Sequence, residues 1–220
     1  FNPAFSADGQ TLYFISKNRN QNERPQLAAG DLYSIRIASL DGERRFDNLT
    51  MGAVPDIWSV APAPIGRRIL LYSLYSESWY ESPRTSIRLL DPASGESIAV
   101  SDDLTLMGAP VWSPDGSRFA WTENDHTICI TGGKTTRTIE SRYQLSNAIT
   151  WSPDGARLIA AALMSEEPSL LVDTSPEQPL GTEISLAYDA ATPYYGPPQW
   201  APLVAPIDPN RFGAGLDSSE

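Results

Sequence analysis

The run Ala109-Pro110-Val111-Trp112-Ser113-Pro114-Asp115-Gly116-Ser117-Arg118-Phe119-Ala120-Trp121 is nearly repeated at Ala148 to Ile159, and no other feature limits the fold so tightly. In both copies an aromatic residue closes a short apolar run, Ser-Pro-Asp-Gly follows, and a second apolar run begins at once. Proline presets φ for a tight turn, aspartate bonds its own local backbone, and glycine takes the positive φ that other residues resist. The unit is a β-hairpin.

Counting from the turn glycine shows how far the unit recurs. Gly9, Gly66, Gly116 and Gly155 are followed three residues on by Leu12, Ile69, Phe119 and Leu158, and five on by Phe14, Leu71, Trp121 and Ala160. The intervening Tyr13, Leu70, Ala120 and Ile159 are apolar as well. A strand apolar on both sides is one covered on both sides, as where sheets stack. Four residues before the glycine stand the anchors Phe5, Trp112 and Trp151. The second copy, Val60-Ala61-Pro62-Ala63-Pro64-Ile65-Gly66, lacks the aspartate; it reads as a turn two residues longer, with Val60 as anchor and Trp58 on the same face. A fifth anchor, Trp200-Ala201-Pro202, is not followed by Asp-Gly, and Leu203 to Glu220 reads as an irregular tail rich in Pro, Gly and acidic residues.

Each full copy continues with two more strand-like runs. These are Asp31 to Ile37 and Glu43 to Thr50, then Ser86 to Leu90 and Glu96 to Val100, then Thr127 to Thr131 and Lys134 to Ile139, then Ser169 to Val172 and Thr182 to Leu186. No stretch carries helical periodicity. Four antiparallel strands per repeat, at a mean spacing of about 49 residues, predict an all-β fold: a β-propeller of four-stranded antiparallel blades. The blades fall near 1–50, 51–103, 104–141 and 142–187, with a partial fifth at 188–202 and the tail at 203–220.

Charge narrows the partners. Asp and Glu total 27 against 16 Lys and Arg, a net charge of -11. Nucleic acid and anionic membrane surfaces bind by having their phosphates neutralised, so neither is an expected partner. No apolar run is long enough to span a bilayer, and no signal peptide opens the chain. Because Phe1-Asn2-Pro3-Ala4-Phe5 already reads as the first strand of a repeat, the chain is expected to be a segment of a longer polypeptide or complex. The single cysteine, Cys129, excludes an intramolecular disulfide and reads as a small packed hydrophobe.

The run Pro110-x-Trp112-Ser113-Pro114-Asp115-Gly116-x-x-Phe119 resembles the TolB-type, WD40-like (PD40) propeller repeat. Trp151-Ser152-Pro153-Asp154-Gly155-x-x-Leu158 resembles it as closely, and Pro3-x-Phe5-Ser6-Ala7-Asp8-Gly9-x-x-Leu12 does so with Ala for the turn Pro. The resemblance implies an extracytoplasmic bacterial propeller, periplasmic or at the cell surface, that binds other proteins without catalysis. The same repeats also form propellers that cap serine peptidases, which implies an alternative: an accessory domain of a hydrolase whose catalytic domain lies outside this segment. Rings of this family usually hold six or more blades. Four copies therefore imply completion by residues outside the segment, or closure by the tail and a degraded fifth blade. Nothing here resembles the separate N-terminal domain of the TolB proteins.

Motifs that could carry chemistry reduce to scaffold. Asp8, Asp115 and Asp154 recur, but each sits in a turn that wants Asp for local hydrogen bonding. Gly133-Lys134-Thr135 ends like a phosphate loop, yet Ile128 stands where its first glycine belongs. There is no Gly-x-Ser-x-Gly elbow, and the one histidine, His126, begins a strand beside Asp125. No catalytic residue, cofactor or metal site is expected. Asn48-Leu49-Thr50 spells a glycosylation sequon and reads as a strand-end turn. The links from second to third strand, Lys17 to Gly30 and Leu74 to Thr85, share a rim with the blade-to-blade link Tyr188 to Pro198, opposite the Ser-Pro-Asp-Gly turns. Loops free of the scaffold's repeated bend can carry specificity. The candidate binding residues are Tyr75, Trp79, Tyr80, Tyr194 and Tyr195, amphipathic aromatics of the type enriched at interfaces.

Overall fold

The computed structural model describes residues 3–17, 30–37, 46–54, 56–75, 84–105, 108–132, 135–163, 169–174 and 181–184. They form four antiparallel sheets of four strands, each a meander in chain order. The first comprises β1 (Ala4–Phe5), β2 (Thr11–Lys17), β3 (Gly30–Arg36) and β4 (Asp47–Asn48); the second β5 (Ile57–Pro62), β6 (Ile69–Tyr75), β7 (Arg84–Leu90) and β8 (Ser97–Thr105). The third comprises β9 (Val111–Trp112), β10 (Phe119–Glu123), β11 (Thr127–Thr131) and β12 (Thr136–Glu140); the fourth β13 (Leu145–Trp151), β14 (Arg157–Ala162), β15 (Ser169–Asp173) and β16 (Gly181–Ile184). These are propeller blades. No helix among the described residues is long and apolar enough to cross a membrane.

The hairpin turn is held by a lock that the sequence only half reveals. Each turn serine takes two bonds at once: Ser6, Ser113 and Ser152 accept the amides of Thr11, Arg118 and Arg157 at 2.9, 3.0 and 2.9 Å. Their hydroxyls donate to Asp8, Asp115 and Asp154 at 2.6, 2.5 and 2.5 Å. The same carboxylate oxygens accept the amides of Gln10, Ser117 and Ala156. Glycine is required at Gly116 twice over. Its φ is +66°, and an added Cβ would lie 3.2 Å from the carbonyl oxygen of Ile65 in the neighbouring blade.

The second blade corrects the sequence reading. Phe5 pairs with Leu12, Trp112 with Phe119 and Trp151 with Leu158; Pro62 pairs with Ile69, three beyond Gly66. The turn therefore has the common length, Pro62 occupies the anchor position, and Val60 lies opposite Leu71. The amide of Ala63 bonds the carbonyl of Arg68 at 2.8 Å, as Ser113 bonds Arg118 and Ser152 bonds Arg157. With Ala and Ile in the places of Ser and Asp the side-chain lock cannot form, and backbone bonds plus Gly66 at φ +90° hold the bend.

Burial alternates along the second strand. Residues three and five beyond the glycine face the preceding blade, and those four and six beyond face the following one. Tyr13 and Ile15 thus meet Ile69 and Leu71. Leu70 and Tyr72 meet Phe119 and Trp121, and Ala120 meets Leu158 and Ala160. Indoles add a directional bond. Trp112 Nε1 donates to the Ala61 carbonyl at 2.8 Å and Trp151 Nε1 to that of Val111 at 3.1 Å, in each case the residue before the preceding blade's anchor. Arg118 reinforces the last seam, lying 5.1 Å over the Trp151 ring and donating to the carbonyls of Gly155 and Thr174.

Trp121 supplies an internal control, because its buried Nε1 has no partner among the described residues. Trp112→Phe and Trp151→Phe each delete an indole-to-carbonyl bond and should cost about 0.5–1.5 kcal/mol more than Trp121→Phe, which deletes similar volume without breaking a bond among the described residues. Urea denaturation at constant m-value measures the difference; equal losses at the three positions would show that the indole bonds carry nothing.

Candidate functional site

On the turn rim the acidic groups are committed to the scaffold. Hydrogen bonds from Ser113 and Ser117 hold the Asp115 carboxyl down at about 2. Asp8 and Asp154 are lowered for the same reason, with Ser6 and Ser152 the main donors. These are ionised turn braces. Elsewhere, burial pushes the Cys129 thiol up, and its Sγ donates to Glu123 Oε2 at 3.2 Å, the opposite of thiolate activation. His126 lies in the turn before β11, where Asn124 and Asp125 take φ of 50° and 56°; its Nδ1 is 3.2 Å from the Tyr143 carbonyl oxygen. Among the described residues no group of three or more His, Cys, Asp or Glu could hold a metal ion.

The opposite rim is built differently. Tyr75 ends β6 opposite Arg84, which places its backbone on this rim. Trp79, Tyr80, Tyr194 and Tyr195, with Tyr188, lie outside the described residues. What the structure adds is the link from the first blade to the second, tied by a polar knot around Asp31. Asp31 Oδ1 accepts Thr50 Oγ1 at 2.9 Å and the Gly52 amide at 2.7 Å, while Oδ2 accepts Asn48 Nδ2 at 3.0 Å. Thr50 Oγ1 also accepts the Leu32 amide, and Asn48 Oδ1 accepts the amides of Thr50 and Met51. Both polar side chains of the sequon are therefore engaged in a turn. The knot presents Met51 at φ 47° with its side chain 82% exposed. Asp125 does a related job between the third and fourth blades, its carbonyl accepting the Leu145 amide and its carboxylate the Gln144 side chain.

Sequence reasoning missed the role of Trp58. Pairing of β5 with β6 shifts between Ile57 and Ser59, so Trp58 is the extra residue of a β-bulge and stands 58% exposed rather than on the buried face of Val60. The one signal in the sequence is that Ile57 and Val60, both apolar, stand three apart, which breaks the two-residue period of a strand; the structure buries both. A second bulge interrupts β13 between Leu145 and Ile149, at the same rim end of that strand. The first strand of a following blade lies against the preceding blade, β5 against β1, β2 and β3 and β13 against β9 and β10, which sets the first strands on the inner side of the arc. Trp58 therefore sits where the long-loop rim meets the axis. Bulges of this kind re-aim side chains.

No known protein family's sequence pattern matches the chain. An uncharacterised protein of Agrobacterium fabrum is 28% identical over 125 residues, covering 54% of this chain and 38% of that protein. Among solved structures, TolB from Acinetobacter baumannii is similar with a TM-score of 0.51 and 16% identity, over 84% of this chain and 43% of that one. An oligogalacturonate lyase in complex with manganese gives 0.55 and 16%, over 83% and 52%. The Pyrococcus horikoshii acylaminoacyl peptidase gives 0.56 and 13%, over 79% and 30%. The fold is that of the TolB-like β-propellers, and this chain spans half or less of the length of most of these proteins.

Two measurements test the assignments on the two rims. Asn48→Ala removes one donor to Asp31 and the acceptor of two turn amides, and should cost roughly 1–3 kcal/mol of unfolding free energy; a loss within error would leave the knot without energetic weight. On the turn rim, the folded pKa of Asp115 lies below the unfolded value near 3.8, so its contribution is complete above about pH 4 and is lost as pH falls toward 2. Urea denaturation between pH 5 and 2 should show a shallower loss for Asp115→Asn than for the native chain, with a small difference between the two because the group is exposed.

Proposed function

We propose that this chain is a non-catalytic protein-binding or scaffolding propeller module of an extracytoplasmic bacterial protein, and that the partner seats on the long-loop rim. The observation that carries the proposal is Trp58, an indole that a bulge in β5 leaves 58% exposed. Large aromatics of this kind act as anchors at interfaces, where a few residues dominate affinity. The sequence places Trp79 and Tyr80, with Tyr75, Tyr194 and Tyr195, on the loops of the same rim, and the proposal includes them. The chemistry of the described groups supports a binding role: the aspartates brace turns, the thiol is buried, and the histidine lies against a backbone carbonyl. The similarity to TolB in fold supports it at the level of the scaffold. The similarity to acylaminoacyl peptidase in fold favours a second reading, an accessory propeller of a hydrolase whose catalytic domain lies outside this segment.

A photo-cross-linking amino acid at position 58 should capture the partner, and one at position 117 on the turn rim should not. Against that partner, Trp58→Ala, Trp79→Ala and Tyr80→Ala should each weaken binding about tenfold or more, equivalent to about 1.4 kcal/mol, with little change in melting temperature for Trp58→Ala. Unchanged affinity in folded variants, or capture from the Asp115 side, would remove the rim assignment. Measurable turnover by the chain would remove the non-catalytic one.

A further inference from the structure

The residues that make the hairpin turn also make a reactive peptide unit. The chain holds four Asp-Gly pairs, Asp8-Gly9, Asp41-Gly42, Asp115-Gly116 and Asp154-Gly155, and in each a serine stands two residues before the aspartate: Ser6, Ser39, Ser113 and Ser152. The pair at 41 and 42 lies outside the described residues. In the second blade's turn the serine position is Ala63, and the aspartate is absent too, with Ile65 in its place. An unrestrained Asp-Gly unit rearranges without an enzyme. The glycine nitrogen attacks the aspartate Cγ, a C–N bond forms, and one carboxyl oxygen leaves as water with the amide proton and a second proton, closing a succinimide ring. Water then opens the ring at either carbonyl. Opening at the former main-chain carbonyl routes the chain through Cγ as isoaspartate, with one backbone atom added. Glycine favours the attack because no Cβ shields its nitrogen.

We infer that Asp8-Gly9, Asp115-Gly116 and Asp154-Gly155 are latent sites of this modification, and that the turn serine is the group that holds each one closed. Three restraints meet at every site. The nucleophile is occupied: the amides of Gly9, Gly116 and Gly155 donate to the carbonyls of Ser6, Ser113 and Ser152 at 2.9, 2.9 and 2.8 Å. The electrophile is tethered, since one carboxylate oxygen accepts both the serine hydroxyl and the amide two residues on, and moving Cγ onto the glycine nitrogen gives up both bonds. The leaving group is poor, because the same bonds favour the ionised carboxylate over the acid that can shed water. Serine takes part in all three, through its carbonyl and through its hydroxyl, which also accepts the amide five residues on. The bend itself does not need that hydroxyl, for Ala63 leaves the second turn at the common length. An atom added to the turn would displace the strand behind it. In the third blade that strand sends Phe119 into one seam and Ala120 into the next, so a single conversion would disturb two blade contacts.

The test follows isoaspartate site by site in the 220-residue chain. The native chain, Ser113→Ala, Ser152→Ala and a synthetic peptide of residues 111–121 are held for several weeks at neutral pH, and isoaspartate is located by electron-transfer fragmentation in a mass spectrometer. Circular dichroism confirms that each variant is folded; Ser6→Ala, read at Asp8, replaces either variant that is not. Asp115 should convert at least tenfold more slowly in the native chain than in the peptide. Ser113→Ala should speed conversion at Asp115 about fivefold, as expected for the loss of one net hydrogen bond, and leave Asp154 unchanged. Ser152→Ala should do the reverse, so each variant carries its own control for general loosening. Equal rates in peptide and native chain would overturn the inference. An unchanged rate at Asp115 in folded Ser113→Ala, or an equal rise at both sites, would overturn the role given to serine.

Discussion

Everything in this structure depends on the second strand of each blade being apolar on both sides. A four-stranded sheet has no interior, so each blade acquires a core only by lying against its neighbour. Leu70 and Leu71 show the constraint at its sharpest, adjacent in sequence and almost fully buried in opposite seams. Burial of one such side chain is worth about 1.5–3 kcal/mol, so the side chains that meet in a seam, as Tyr13 and Ile15 meet Ile69 and Leu71, outweigh any single turn bond, which nets about 1 kcal/mol. Seams rather than blades are the units of stability, as in other repeat architectures whose parts contact only neighbours.

That ranking explains which parts of the fold were legible in the sequence. The count from Gly9, Gly66, Gly116 and Gly155 located all four second strands because seam packing tolerates little change there. The third and fourth strands followed from turn residues, to within a few positions. Reading failed in the second copy because Ser and Asp, the visible markers of the turn, had become Ala63 and Ile65. They brace the bend without creating it. Register there is held by the Ala63 amide, by Gly66 and by Ile69 and Leu71 in the seam, of which only Gly66 announces itself as a turn residue.

The rim features were harder to read for a different reason. The Asp31 knot joins residues from positions 31, 48, 50 and 52, which become neighbours only when β3 and β4 pair. A sequon spelling at Asn48 marks the knot by accident. Trp58 could have been singled out by the broken period between Ile57 and Val60, but a bulge and a strand end produce the same break, and only pairing distinguishes them. The aromatic loop residues were visible as composition; Tyr75 alone among them lies in a described strand.

The seams also differ in how far directional bonds hold them. Indole bonds close the contacts between the second and third blades and between the third and fourth, and Arg118 adds three further interactions to the latter. Pro62, the anchor of the second blade, has no N–H to donate toward the first, so that seam relies on apolar packing alone at the equivalent point. Met51 and Trp58, both largely exposed, belong to the link and the inner strand that enter this same seam. A directional bond fixes two blades at one separation, whereas packed aliphatic side chains allow small sliding at low cost. At its anchor position, then, the seam beside Met51 and Trp58 is packed without the indole bond that the next two seams have. The first seam is therefore the one whose anchor position apolar packing holds unaided, whereas the next two add an indole bond at the same point.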